Sequence, residues 1–290
     1  MRRGREKRRH ETRKPLCNVR TDCLRTGASQ PTPLAHAKSP HHFTLPQLAA
    51  CVLLTFYRDV SYRDMEEWLL ATDQVRTVLG LERVPDYSTL SRAFQKLKQA
   101  DWDRFLTHLL KQMEVKEDAI AADSTSFRLN QASLHYYNRA GKAFGDWIKG
   151  AYAVGTQSLL ILGWASSRGS LPDFGFRKGL HRQAARYARY SAGRRCWWML
   201  ADKGFDSGSF HSADLIPPIR RFGKITDPER QARADRVAEA RLAGLYGQRW
   251  KVETVHSVMK RKFGETIRSR SLRLQRREAI LKGLVYNLHL

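Results

Sequence analysis

The sequence predicts an α/β chain in which a mixed sheet is covered by helices and preceded by a small all-helical segment. Three observations carry that reading. Apolar residues recur at helical spacing from Leu45 to Met113, and short apolar runs ending in an acid follow between Ala119 and Asp202. Helical spacing then returns from about Pro228 almost to Leu290. The chain has 290 residues, 42% of them hydrophobic and seven of them Trp, so it can bury a sizeable core.

Residues 1–40 read as a disordered basic arm. An Arg/Lys run (Arg2, Arg3, Arg5, Lys7, Arg8, Arg9) precedes a Pro/Thr/Ser/His stretch with no apolar period. Residues 41–116 read as a helical domain. Leu48, Val52 and Phe56 repeat every four residues, and Met65, Trp68 and Leu69 share one face of a second helix over Tyr62 to Leu70. Ser88 is expected to cap a third helix with Leu90, Phe94 and Leu97 inward. Asp101 is expected to cap a fourth with Phe105, Leu109 and Met113 inward. DNA binding of the helix-turn-helix kind and a packing or dimerisation role both fit this segment, because helical period alone does not reveal groove docking.

Residues 117–290 change character. Ala119 to Ala122 form a short apolar run that ends in Asp123, as a buried strand would. Ala151 to Gly155 and Leu159 to Ala165 flank a turn and read as a hairpin. A basic helical stretch, Leu180 to Tyr190, leads to a strand over Cys196 to Ala201, which again ends in an acid, Asp202. A last strand is expected over Asp214 to Ile219, ended or placed at an edge by Pro217-Pro218.

The charge balance points to a polyanion. Lys plus Arg number 52 against 28 Asp plus Glu, a formal net charge of +24 and a sequence pI near 10.4. Such an excess repels itself in a compact chain and is met by phosphate backbones or acidic surfaces. Arg pairs such as Arg194-Arg195, Arg220-Arg221 and Arg276-Arg277 suit bidentate phosphate contact. The four cysteines (Cys17, Cys23, Cys51, Cys196) form no CxxC pair, so free thiols in a reducing cytoplasm are expected. A zinc site on Cys17 and Cys23, completed by His36, His41 or His42, is the alternative. No run reaches the ~20 apolar residues of a membrane span, and no apolar segment follows the basic start as in a secretory signal. The expectation is a soluble, cytoplasmic protein without a membrane partner.

Two strand-end carboxylates in so basic a chain call for a partner, since a desolvated carboxylate must be paired or protonated. Asp123 and Asp202 on adjacent strands could share a divalent cation such as Mg²⁺, although a lone strand-end Asp more simply caps a turn. Tyr246, Arg249, Glu253 and Lys260 follow at spacings of three, four and seven and lie along one helical stripe, with His256 and Ser257 on the same side. Leu245, Val252, Val255, Met259 and Phe263 make the packing face. The plain structural reading of the stripe is a solvated face with an Arg249–Glu253 pair worth a few tenths of a kcal/mol.

The string Tyr246-x2-Arg249-x3-Glu253-x6-Lys260, with Trp250 after the Arg, resembles the Tyr-Arg-Glu-Lys motif of the IS4-type (IS4- and IS5-like) insertion-sequence DDE transposases. Ala122-Asp123-Ser124-Thr125 is similar to the segment carrying that family's first catalytic Asp. Asp202-Lys203-Gly204-Phe205-Asp206 is similar to the segment carrying its second. Tyr62-Arg63-Asp64 and Val84-Pro85-Asp86-Tyr87-Ser88-Thr89-Leu90-Ser91-Arg92 resemble the family's N-terminal region, so the likeness spans roughly Leu45 to Leu290.

The resemblance implies an RNase H-like catalytic fold over residues 117–290, with Asp123 on the first strand, Asp202 on the fourth and Glu253 on a following helix. The interval from Asp202 to Glu253 is short for the large β-insertion of some relatives, so only a modest insertion is expected, partly the helical stretch Pro228 to Arg241. The implied chemistry uses two Mg²⁺ ions (Mn²⁺ substituting) roughly 4 Å apart. Asp123 bridges both ions, and Asp202 and Glu253 each hold one. Water frees a 3′-hydroxyl at the element's end, and that hydroxyl attacks target DNA. Tyr246, Arg249 and Lys260 hold phosphates near the cut, and Asp206 supports Asp202. Trp147, Trp197, Trp198 and Trp250 are candidates to hold a flipped base, with core packing as their simpler role. The implied partners are terminal inverted repeats, target DNA and a second protomer in a synaptic homodimer. The setting is a prokaryotic, nucleoid-associated one. A catalytically silent, domesticated DNA-binding descendant and a stand-alone RNase H-like nuclease are the alternatives. A two-carboxylate glycosidase fits the acids but not the charge.

Overall fold

The computed structural model describes residues 42–129, 147–191, 194–195, 197–206, 214–220 and 224–290. The arm over residues 1–40, Cys17, Cys23 and Cys196 with the alternative zinc site, and Arg221 lie outside these residues. Cys51 is a buried free thiol.

Five helices come first: α1 (Leu45–Tyr57), α2 (Tyr62–Ala71), α3 (Asp73–Leu79), α4 (Tyr87–Lys96) and α5 (Gln99–Gln112). Their starts are written locally. Thr44 and Gln47 form a reciprocal capping box for α1, and Ser61 and Asp64 form one for α2. Two caps differ from the sequence reading. Asp86, not Ser88, caps α4: its carboxylate accepts the Thr89 amide at 2.9 Å and also the Ser88 hydroxyl. A carboxylate is the stronger acceptor, and Asp86 stands in the extended conformation a cap requires. Helix α5 begins two residues before Asp101, which instead reaches back to accept the Lys98 amide at 2.7 Å. Met113 stands beyond the end of α5 and is 46% exposed, whereas Phe105 and Leu109 are buried.

The sheet has the order β3-β2-β1-β6-β7, built from β1 (Ala119–Leu129), β2 (Trp147–Gly155), β3 (Ile161–Arg168), β6 (Trp198–Ala201) and β7 (Asp214–Leu215). A separate two-residue pair, β4 (Tyr190–Ser191) and β5 (Arg194–Arg195), precedes β6. Strand β1 does not stop at the acid as its apolar run suggested. It continues to Leu129 because β2 pairs with it antiparallel from Ile120 to Arg128, while β6 pairs with it parallel only from Ala119 to Ala122. Strand β7 is two residues long, at the edge, with Pro217-Pro218 following.

Helix α6 (Phe174–Ala184) links β3 to the β6 side, and the C-terminal part is three helices rather than one run: α7 (Pro228–Leu242), α8 (Trp250–Phe263) and α9 (Leu272–His289). Gly264, at φ +78°, ends α8 in a conformation closed to most side chains. The chain then forms β8 (Thr266–Ile267), parallel to the far end of β1. Helices cover both faces of the sheet. On one face the Gln183 side chain of α6 bridges the amide and carbonyl of Trp164 and lies against Gly163. On the other, Asn287 of α9 bridges the amide and carbonyl of Ile161, and Tyr152 donates its hydroxyl to the Ala279 carbonyl at 2.7 Å. Buried Glu117 accepts the Gln157 and Ser158 amides and so fixes the turn between β2 and β3. Residues of α1–α5 and of the sheet join one continuous hydrophobic cluster.

Close approach of α9 to the sheet depends on Gly283. A Cβ there would come within 2.9 Å of the Tyr152 ring, which is fully buried and tied down by its hydroxyl. Gly283→Ala is therefore expected to lower unfolding stability by about 1–3 kcal/mol in urea denaturation, as overpacking does. An unchanged midpoint would mean that α9 sits more loosely on β2 than described.

Candidate functional site

The register of the sheet assembles the site. Ala122 of β1 lies beside Ala201 of β6 in a parallel pair, so the next residues, Asp123 and Asp202, emerge side by side where β6 ends. Parallel strands present their carboxyl ends together, which is where open α/β sheets place ligands. Asp202 turns the chain into a short 3-10 segment, Lys203–Phe205, and its carboxylate accepts the Gly204 amide at 2.9 Å.

Asp123 carries the electrostatic signature of the site. Its side chain is 21% exposed, and burial pushes its carboxyl up to about 6. The Ser124 amide pulls against that rise, the neighbouring Asp202 carboxylate adds to it, Arg249 opposes it and Asp173 adds again. His256 of α8 places Nδ1 3.9 Å from Asp123 Oδ2. Burial, and then Lys260, push this imidazole down to about 3. The ring is therefore neutral at pH 7, and at that distance it forms neither an ion pair nor a hydrogen bond with Asp123. It packs edge-on against Tyr152, directly opposite Asp123 in β2.

The segment with the Tyr-Arg-Glu-Lys spacing borders the same place. Tyr246 to Arg249 form a 3-10 turn leading into α8. Tyr246 donates its hydroxyl to the Ala201 carbonyl at 2.9 Å, one residue before Asp202. Lys251 ties the start of α8 to the β2–β3 turn through the Thr156 carbonyl at 2.7 Å. Val252, Val255, Met259 and Phe263 are wholly buried, as their stripe predicted, while Leu245 joins a smaller cluster with Leu200, Leu215 and Val237. Arg249 donates to Glu253 at 2.8 Å, and the Glu253 side chain is 55% exposed. Lys260 holds its ammonium 5.8 Å from the Phe127 ring centre.

Sequence-predicted residues thus fall into two groups. Asp123, Asp202 and Arg249 meet electrostatically, and Tyr246 is anchored beside them. Glu253 is held by Arg249, with its carboxylate directed to solvent. Asp206 is buried and takes a different role: its two oxygens accept Arg230 at 2.7 Å, Arg233 at 2.8 Å and the Ile219 amide at 2.7 Å, which pins α7 to the loop after Asp202. Of the candidate tryptophans, Trp197 is buried, Trp198 is 36% exposed and Trp250 is 57% exposed beside Arg249. One residue escaped the sequence reading. Asp173, just before α6, accepts the Ser124 hydroxyl and the Lys149 ammonium, both at 2.6 Å. Only the tertiary fold reveals it, since no spacing connects it to Asp123.

The donor set suits a hard divalent cation. The oxygens are carboxylate oxygens, and Asp123 is desolvated beside other carboxylates, an arrangement that a bound cation relieves. Among the described residues no three Asp, Glu, His or Cys side chains stand together as a finished metal site. Asp123 and Asp202 would hold the ion, and Glu253 would join them by exchanging Arg249 for it.

Because the folded carboxyl of Asp123 titrates above its unfolded value, the fold binds that proton more tightly than the unfolded chain does. Its ionisation is neutral to stability below about pH 4 and costs stability as pH rises through about 6. Asp123→Asn is therefore expected to stabilise the EDTA-treated protein at pH 8 by roughly 2–3 kcal/mol and to change little at pH 4. Thermal or urea unfolding at the two pH values checks this, and an equal effect at both would contradict the assignment.

A family model described as the transposase DDE domain matches residues 114–288, more than half of the chain. The match contains Asp123, Asp202 and Glu253 together with every strand of the sheet. No curated protein and no solved structure matches the chain. On the family match, this chain belongs to the transposase DDE domain family.

Proposed function

We propose that the chain is the DNA transposase of an IS4-type insertion sequence, cutting the element's ends and joining them to target DNA on an RNase H-like catalytic fold. Membership of the family implies nuclease or transposition chemistry on DNA, and such domains generally use divalent metals. The observation that carries the finer reading is the placement of Asp123 beside Asp202 where the β1–β6 ladder ends, with Tyr246 of the Tyr-Arg-Glu-Lys segment anchored on the end of β6.

In this reading Asp123, Asp202 and Glu253 are the carboxylates that would hold the divalent ions. Mg²⁺, or Mn²⁺ in its place, would supply an activated attacking oxygen and charge relief on the leaving oxygen. Arg249 gives up Glu253 and turns to a backbone phosphate, for which its planar fork is suited. Lys260 adds a second phosphate contact from the same helix face, and Tyr246 keeps the turn registered on the end of β6. Neutral His256 and Tyr152 wall off Asp123 from the interior side. Water attacks the phosphodiester at the element end and breaks its bond to the 3′ oxygen, leaving a 5′-phosphate on the flank. The freed 3′-hydroxyl then attacks a target phosphodiester in line and displaces the target's own 3′-hydroxyl. Bringing two ends together requires a second protomer, so a homodimer forms on DNA. A cytoplasmic, nucleoid-associated setting in a prokaryote accompanies this role. No helix of the described residues is long and apolar enough to cross a membrane.

A second reading, a catalytically silent DNA-binding descendant, draws on one observation: Glu253 is paired with Arg249 and faces solvent. One experiment separates the two. Labelled DNA carrying the gene's own flanking ends is incubated with the protein in Mg²⁺, Mn²⁺ or EDTA, beside Asp123→Ala and Glu253→Ala. Metal-dependent cuts at the boundary, lost by about 10³-fold or more in both variants while DNA affinity is kept, are the expected result. Tight binding without cutting in any metal would overturn the proposal in favour of the silent reading.

A further inference from the structure

Asp173 reaches the same site from the opposite face of the sheet. Side chains alternate along a strand, so Ser124 points away from the Asp123 side, and there its hydroxyl meets Asp173. Lys149 of β2 comes to the same carboxylate and is held in place by a second bond to the Leu171 carbonyl at 3.0 Å. Both partners use Oδ1. The other oxygen, Oδ2, accepts no hydrogen bond among the described residues and faces Asp202 across Gly204. A Cβ on Gly204 would lie 3.0 Å from Asp202 Oδ1 and 3.2 Å from Asp173 Oδ2. Two carboxylate oxygens thus converge on a gap left open by a glycine, with no hydrogen-bond donor from the described residues to either beyond the Gly204 amide that Asp202 already uses. The pair is half-sheltered: Lys149 and Asp173 side chains are 16% and 19% exposed.

Resting on the reading of Asp123 and Asp202 as ion ligands, we propose that Asp173 is a further acidic group of the divalent-ion site, offering Oδ2 on the Asp202 side while Lys149 and Ser124 fix Oδ1. Lys149 then has a definite part as well. It orients Asp173 and, as a positive charge beside the site, sets a limit on how tightly the ion is held. Carboxylate count tunes the affinity of such oxygen sites, so removing either charge shifts it, and in opposite directions.

The opposite signs make the test. The metal-free full-length protein is titrated with Mn²⁺ alone, and free Mn²⁺ is read by electron paramagnetic resonance. Asp173→Asn keeps an acceptor for Ser124 but loses the charge, and it should weaken Mn²⁺ binding about five- to tenfold. Lys149→Met removes the competing cation and should tighten it. A purely structural clamp between β1, β2 and α6 would instead make both variants bind more weakly, along with any loss of thermal stability. Asp173→Asn within twofold of the parent, or both variants moving the same way, overturns the proposal. Asp123→Asn serves as the reference. Mn²⁺ affinity lost there but kept in Asp173→Asn removes only the role of Asp173. Parent-like affinity in Asp123→Asn, or a parent that takes up no Mn²⁺, removes the ion site itself and Asp173 with it.

Discussion

The parallel pairing of β1 with β6 over only four residues is the constraint on which the site depends. It sets Asp123 and Asp202 next to each other, and it stops there, so both carboxylates emerge where the ladder opens. The antiparallel pairing on the other side of β1 continues past the acid and keeps the strand from fraying at that point. Tyr152, directly across from Asp123, is locked by its hydroxyl to α9 and supports His256 of α8. The apolar packing behind Asp123 is therefore continuous with the main core, and that packing is what desolvates the carboxylate.

How the chain treats its other buried acids sharpens the contrast. Asp206 answers two arginines of α7 and a backbone amide, Asp214 answers Arg177 at 2.7 Å, and Glu117 and Glu278 each take two backbone amides at turns. Those carboxylates are satisfied and serve the fold. Asp123 is sheltered as well, yet among the described residues no side-chain donor reaches it, and its nearest charged neighbours include two more carboxylates. A basic chain with 52 Lys and Arg could have supplied a cation there. Arg249 stands close enough to be felt by Asp123 but spends its hydrogen bond on Glu253. That arrangement leaves a deficit of positive charge in a protein otherwise rich in it, as a site for an external cation requires.

Much of this was legible in the sequence because it is local. The apolar runs before Asp123 and Asp202 mark strands, and the apolar period from Val252 to Phe263 marks the buried face of α8, whereas Tyr246 and Arg249 fall in the 3-10 turn before that helix. Nonlocal choices were not legible. The length of β1 depends on β2 pairing with it. Asp173 meets Ser124 only after α6 has packed on the sheet, so neither period nor composition marks it. The Arg249–Glu253 pair on a solvated face was, by contrast, legible from their spacing of four residues, and the structure forms it. Asp206 carried a motif position, yet its arginine partners lie a helix away on α7.

Asp123 and Asp202 are proposed as one ion site, which Glu253 joins by leaving Arg249. The most direct measurement is anomalous diffraction from crystals of the protein with Mn²⁺ and a DNA duplex carrying an element end. Mn²⁺ peaks against the Asp123 and Asp202 carboxylates are expected, with Glu253 turned onto the metal and Arg249 on a phosphate. Mn²⁺ bound elsewhere, or Glu253 still held by Arg249 beside bound DNA and metal, would contradict it.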